Sequence, residues 1–220
     1  MTRPLVTLLT LLLSVALLAG CASRREMPID VALFPSTPVA PETRAPGRVA
    51  VLLQPAVKDL VHEGEDGPAR SMRIPIGRIV AKAMLASAAE VFTSGADSLE
   101  AAAGDDMRYA ATLIVQSARV SYHSRLLWML PLPFVGGVGD SEFDAQLALD
   151  VTVLDPQGRV VWTRTYDDGR QVWPHEWIDQ AKAPDGLLRV THEAAWRLSQ
   201  NVMRDLREWA EGERIRPRNL

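Results

Sequence analysis

The stretch Phe143-Asp-Ala-Gln-Leu-Ala-Leu-Asp-Val-Thr-Val153 alternates apolar and polar residues along its length. A period of two is that of a β-strand with one face on a core and the other face toward water. Asp155-Pro-Gln-Gly158 then supplies turn residues, and Val160-Val-Trp-Thr-Arg-Thr-Tyr166 is β-branched and aromatic. The sequence therefore predicts a β-hairpin from Phe143 to Tyr166.

Two further runs outside the hairpin predict strands. Arg48–Gln54 (RVAVLLQ) is apolar at its five central positions, which favours a short strand buried on both faces. Ala111–Tyr122 (ATLIVQSARVSY) begins as a continuous apolar run and then alternates, so we expect a strand with one more exposed end. Between them, Val57–Arg73 contains an acidic and glycine-rich sequence that is typical of a loop.

Two amphipathic stretches predict helices. Apolar residues recur at three- and four-residue spacing from Pro75 to Phe92, and again from Gly186 to Ala210. The first turn of a helix tolerates proline, which agrees with Pro75 at the start of the first stretch. Two helices that cover one face of a mainly antiparallel sheet form an α+β two-layer sandwich, and this is the fold class that we predict.

The N-terminal segment has the composition of a bacterial lipoprotein signal. Arg3 is followed by an apolar run from Leu5 to Ala19, and Gly20 then precedes Cys21, the single cysteine of the chain. As a helix this run would cover roughly 22 Å, which is short of the ~30 Å hydrocarbon core of a membrane. We therefore interpret residues 1–20 as a cleaved signal peptide and Cys21 as the lipidated residue. The alternative is a transmembrane anchor followed by a buried cysteine.

Charge limits the classes of function. Removal of residues 1–20 changes the formal net charge from −3 to −4, because Arg3 is their one charged residue. A negative chain is unsuited to nucleic acid and to adsorption on anionic lipid headgroups. The membrane attachment that we predict would come from acyl chains on Cys21, since each buried CH₂ contributes about 0.8 kcal/mol.

The composition also divides the chain into segments. Five prolines lie among polar residues between Ala22 and Gly47, which favours extended backbone and predicts a tether. With a single cysteine, no disulfide can form within the chain, so a hydrophobic core must hold the domain. We expect a signal peptide over residues 1–20, the lipidated cysteine and tether over 21–47, a folded domain over 48–210 and a C-terminal tail over 211–220.

The sequence contains no recognisable catalytic or metal-binding motif. Its four histidines are His62, His123, His175 and His192. They share no ligand spacing, no Gly-x-Ser-x-Gly motif surrounds a serine, and the glycine-rich run 136–139 lacks the lysine of a phosphate loop. We therefore predict a protein that is not an enzyme and has no metal or other cofactor. An envelope enzyme would instead have to bring Asp150, Asp168 and His175 together.

The segment Leu126–Val135 (LLWMLPLPFV) is apolar at eight of ten positions, and the other two are Pro131 and Pro133. Prolines exclude a regular helix or a central strand, so we expect a surface loop. Burial of each large apolar side chain is worth about 1.5–3 kcal/mol, so the domain itself, a protein partner (a second copy included) or lipid should cover them. The predicted contact residues are Leu127, Trp128, Met129, Leu130, Leu132 and Phe134.

The order of these features resembles that of the YajG-type lipoproteins of Gram-negative bacteria. The shared pattern is a signal that ends in Ala19-Gly20-Cys21, a proline-rich tether, a helix around Ile76–Phe92 before ATLIVQSARVSY, a long hairpin, and a closing helix with GLLRVTHEAAWRLSQNVMRDL. The resemblance implies a two-layer domain that faces the periplasm and has no catalytic residues. The apolar segment 126–135 is longer than in the family pattern.

The residue after the cysteine and the composition of the chain together predict a cellular location and a role. The residue after the cysteine is Ala22 rather than the Asp that typically retains a lipoprotein in the inner membrane, so we expect the outer membrane. We predict a lipid-anchored outer-membrane protein whose periplasmic domain binds or organises envelope components. Its expected partners are the membrane, through the lipid on Cys21, and a protein partner or second copy at residues 126–135. The alternative is an accessory lipoprotein of an envelope lipid or polysaccharide transport system.

Overall fold

The computed structural model describes residues 25–26, 44–63, 72–98, 109–130, 138–172, 178–179 and 183–215. The strands in these ranges are β1 (Arg25–Glu26), β2 (Val49–Leu53), β3 (His62–Glu63), β4 (Met72–Ile74), β5 (Ala96–Ser98), β6 (Ala111–Leu130), β7 (Val138–Leu154), β8 (Val160–Val172) and β9 (Ile178–Asp179). The helices are α1 (Pro55–Lys58), α2 (Ile76–Val91) and α3 (Ala183–Ile215).

The main sheet has the strand order β5-β2-β6-β7-β8, and β9 pairs with the beginning of β7. Its long ladders, β6 with β7 and β7 with β8, are antiparallel, whereas β2 pairs in parallel with both β5 and β6. The predicted hairpin is confirmed as β7 and β8. Its turn closes through the Asp155 N–H, which donates to the Arg159 carbonyl at 2.9 Å, and Gly158 takes the left-handed φ of +77° that favours glycine.

Helices α2 and α3 pack against each other and against the sheet, and they share one contiguous core with it. Alternate residues of β7 supply the sheet side of this core because a strand exposes every second residue to each face; they are Ala145, Leu147, Leu149, Val151 and Val153. The helices contribute fully buried residues such as Met84 and Leu198. The predicted α+β two-layer sandwich is thereby confirmed.

Strand β6 corrects part of the predicted loop over residues 126–135. The strand continues from Tyr122 to Leu130 and pairs with β7 at each of these positions except Leu127, so residues 126–130 are strand. Proline removes a backbone N–H only at its own position, so Pro131 and Pro133 do not prevent the residues before them from pairing. Residues 131–135 of the predicted loop lie outside the described residues.

Several boundaries also differ from the predicted ones. Ala45 lies within the predicted tether, yet it is 3% exposed and its N–H donates to the Val91 carbonyl at 2.8 Å. Arg25–Glu26, in the same segment, form β1 and pair with β4. The predicted loop Val57–Arg73 contains the second half of α1 and all of β3, and α3 continues to Ile215.

Gly77 lets the beginning of α2 lie directly against α1. A Cβ atom at this position would be 2.1 Å from the Val57 carbonyl oxygen and 2.3 Å from that of Lys58. The Gly77 N–H also donates to the Leu60 carbonyl at 3.1 Å. Because the obstructing atoms are backbone and the Val57 side chain is buried in the core, the two helices could separate only by disturbing the core.

We expect Gly77→Ala to lower the free energy of unfolding by about 1–3 kcal/mol or more, since the added methyl group overpacks this contact. Gly212→Ala is the matched control, because no atom lies within 4 Å of its added Cβ and alanine is favoured over glycine in a helix by about 1 kcal/mol. Urea unfolding followed by circular dichroism measures both variants. Equal stability of Gly77→Ala and the unsubstituted protein would contradict the close approach.

Candidate functional site

Strands β6 and β7 extend past the rest of the sheet as a ribbon. β2 pairs with Ala111–Val115 of β6, and β8 pairs with β7 as far as Asp144. Beyond these points β6 and β7 remain paired to Leu130 and Val138, where β9 joins them. His123 is the partner of Asp144, so the ribbon covers the last seven residues of β6, which at about 3.3 Å per residue is roughly 23 Å.

The ribbon brings four of the predicted contact residues to its far end. Leu127, Trp128, Met129 and Leu130 are the last residues of β6, and Trp128 is in register with Asp140. Leu127 is the extra residue of a β-bulge, a feature that locally bends and twists a strand. The other two predicted contact residues, Leu132 and Phe134, lie outside the described residues, as does Cys21.

A second β-bulge, at Gln116 of β6, organises the sheet face opposite the helices. Before the bulge, Leu113 and Val115 are buried in the core; after it, Ala118 and Val120 pack against the same core. The residues of β6 that face the core are therefore odd-numbered before Gln116 and even-numbered after it. Ser117 and Arg119 are thereby placed on the open face, where regular alternation would have put them in the core.

Asp150 is the centre of a hydrogen-bond network on this open face. Ser117 of β6 and Thr165 of β8 are its direct cross-strand neighbours, and both hydroxyl groups donate to its carboxylate, that of Thr165 at 2.6 Å. Arg119 adds two contacts, from Nη1 to Oδ2 at 2.9 Å and from Nη2 to Oδ1 at 3.3 Å. These donors, Ser117 first, lower the pKa of Asp150 to about 2.

Beside this network, Ala148 forms the floor of a shallow polar groove of about 280 Å³. Ala148 is in direct register with Arg119 on one side and with Asp167 on the other. Because the alanine side chain is short, it leaves space between these two charged residues. Gln146 Nε2 donates to both oxygens of Asp167, at 3.2 and 3.4 Å. The groove can therefore offer both donors and acceptors to a polar ligand.

Of these residues, only Asp150 is a candidate from the sequence, as one member of a possible enzyme site with Asp168 and His175. An ionised carboxylate with a pKa of about 2 holds neighbouring donors and is a poor general base near neutral pH. His175 lies outside the described residues. Within LIVQSARVSY the apolar residues shift from odd-numbered to even-numbered positions. This shift is the sequence signal that would have located Ser117 and Arg119 on the open face.

On the helix side, an acidic residue of α3 fastens this helix to β8. Asp205 Oδ2 accepts hydrogen bonds from Arg164 Nη1 at 2.8 Å and from the Tyr166 hydroxyl at 3.0 Å. Burial and the neighbouring Asp205 raise the pKa of Tyr166 to about 12. The Arg164 guanidinium lies 5.8 Å from the Trp162 ring, which in turn meets the edge of Trp209 at 6.2 Å. Trp162 and Trp209 are half-buried and pack against the core, so this cluster covers part of its surface.

The described residues contain no group of three His, Cys, Asp or Glu side chains that could hold a metal ion. None of their helices is both long and apolar enough to cross a membrane.

The sequence matches no protein-family model and no curated protein. Solved structures similar to this chain include a minor lipoprotein from Acinetobacter baumannii, at 13% identity and a TM-score of 0.35, covering 74% of this chain and 93% of that one. Another is uncharacterized lipoprotein B from Nitrosomonas europaea, at 12% identity and a TM-score of 0.41, covering 87% and 90%. A third is rare lipoprotein B from Shewanella oneidensis, at 11% identity and a TM-score of 0.35, covering 74% and 98%.

Likenesses with TM-scores this low carry no argument about the role of the chain. The resemblance to YajG-type lipoproteins therefore stays a prediction from the sequence.

The pKa of Asp150 predicts a pH-dependent contribution to stability. Because its pKa is lowered, the contribution is complete above the unfolded value near 3.8 and is lost as the pH falls through about 2. We expect Asp150→Asn to reduce the free energy of unfolding by about 1–2 kcal/mol at pH 7, and by less at pH 2. Urea unfolding at both values measures the difference.

Glu208→Gln, which removes an exposed carboxylate of α3, is the control for the loss of one negative charge. A loss of stability in Asp150→Asn that is equal at pH 7 and pH 2 would contradict the role of the ionised carboxylate.

Proposed function

We propose that this chain is a lipoprotein of the bacterial outer membrane, held by acyl chains on Cys21, with a non-catalytic periplasmic domain that binds or organises other envelope components. The observation that carries this proposal is the sequence Leu17-Leu-Ala-Gly-Cys21 at the end of an apolar segment too short to span a membrane. Ala22 supports delivery to the outer membrane rather than retention in the inner one.

Within this proposal, the end of the ribbon is the contact site for a partner. Its described residues Leu127–Leu130 follow each other without a polar residue, and the last three of them pair with the beginning of β7. Apolar side chains at such a position favour a partner surface because exposure to water is costly. Leu132 and Phe134 extend the same apolar run.

A second candidate role is that of an accessory lipoprotein in an envelope lipid or polysaccharide transport system. The ribbon favours it, since roughly 23 Å of paired strand beyond β8 would allow the domain to reach a neighbouring component. Lipid or polysaccharide that co-purifies with the protein would support this role over a purely organising one.

We expect Cys21→Ser to abolish acylation and to release the protein from the membrane fraction, because the acyl chains supply the predicted attachment. Mass spectrometry of the mature N-terminus and density-gradient separation of the two membranes measure both effects. An uncleaved leader or an unmodified Cys21 in the unsubstituted protein would refute the proposal.

A photo-crosslinking residue in place of Trp128 should capture a defined partner in intact cells, and Leu130→Ser should reduce this capture several-fold. The same photo-crosslinker in place of Val160 is the control, because Val160 is 64% exposed and begins β8 beside the turn. The same products from both positions, or none from position 128, would refute the contact site.

A further inference from the structure

Strand β1 ties the chain just after Cys21 to one corner of the domain. Arg25 is in parallel register with Met72, and β3 pairs with the other side of β4. Three residues, 22–24, separate Cys21 from β1. Since a chain spans at most about 3.6 Å per residue, Arg25 lies within roughly 14 Å of Cys21. The lipid anchor and this corner must therefore stay close together.

This corner, which we call the β1 corner, consists of residues 25–26, 55–63 and 72–78. It lies at the carboxyl end of β2, because α1 begins two residues after β2 ends and Leu60, just beyond α1, contacts Gly77. The His62 ring centroid is 4.3 Å from that of Tyr122 on β6, where the ribbon leaves the sheet. The β1 corner and the ribbon thus belong to the same end of the domain.

The turn between β7 and β8 marks the opposite end. Leu154, the last residue of β7, is in register with Thr112 near the start of β6. Val49, the first residue of β2, pairs with Ala111 at this same end. Asp59 in the β1 corner and Gln157 in the turn are therefore exposed positions at opposite ends of the sheet.

Charge allows the β1 corner to lie close to an anionic surface. Its residues carry four positive and three negative side chains, a net charge of +1, whereas the chain without residues 1–20 carries −4. Charged segments interact with anionic headgroups within a Debye length of the membrane, about 8–10 Å at ordinary salt. The chain as a whole is therefore repelled from such a surface, whereas the β1 corner has no net negative charge to oppose its approach.

We infer that the β1 corner faces the lipid surface in which Cys21 is anchored, so that the ribbon leaves the domain from its membrane-facing end. The inference rests on the proposed acylation of Cys21 and deepens it, since it fixes the orientation of the domain. The tether between Cys21 and the first described residue of the domain is then residues 22–24.

Fluorescence quenching tests the orientation in the full, acylated protein. The lipid thioether consumes the sulfur of Cys21, so Asp59→Cys and Gln157→Cys each provide a single thiol for a bimane label. In vesicles of phosphatidylethanolamine and phosphatidylglycerol with a nitroxide-headgroup lipid, we expect at least three-fold stronger quenching at position 59 than at 157. Equal quenching, or stronger quenching at position 157, would overturn the inference.

A variant with Arg25→Gly and Glu26→Pro separates the role of β1 from that of the acyl chains. Proline cannot donate to a strand ladder, so this variant should remain acylated and bound to vesicles while the difference between positions 59 and 157 becomes smaller. A difference that is unchanged in this variant would also overturn the inference. Failure of the proposed function would show itself separately, as protein without acyl chains that does not bind vesicles.

Discussion

The β-bulge at Gln116 is the constraint on which most of this structure depends. Strand β6 is the centre of the sheet, and its first residues must face the helices to complete the core around Leu113 and Val115. The next residues are polar at the positions that regular alternation would bury. One extra residue reverses the alternation, which keeps Ala118 and Val120 on the core side. The hydrogen-bond network of Asp150 follows directly from this reversal.

The sequence predicted the parts of the fold that depend on local pattern. The hairpin followed from the alternation of Phe143–Val153 and its turn residues, and both long helices followed from their apolar stripes. The parallel pairing of β2 with β5 and β6 could not be predicted in this way, because it joins strands that are far apart in sequence. The contact between Gly77 and the carbonyl groups of α1 likewise depends on the packing of two helices and left no periodic signal.

The residues of the candidate sites also divide into those that local pattern predicts and those that it does not. Leu127–Leu130 could be identified from the sequence because they are four consecutive apolar residues before a proline. The proline, however, led to the prediction of a loop where the structure has a strand. Ser117, Arg119 and Thr165 are ordinary surface residues when each is considered alone. They form a network because the register of three strands places them around one carboxylate, and register over the bulge is a property of the folded sheet.

Strand β8 is the outermost strand on its side of the described sheet. Its charged residues affect how closely neighbouring copies of the protein can approach each other without pairing their strands. An outer strand with unpaired backbone groups can recruit a strand from another molecule. The proposed acylation would concentrate the protein in two dimensions on a membrane, where each molecule meets its own copies often. Arg164 and Asp167, both exposed, place charges of opposite sign along this border, and such charges make sheet extension from one molecule to the next unfavourable. Neighbouring molecules could thus share a crowded surface without fusing their sheets into fibrils.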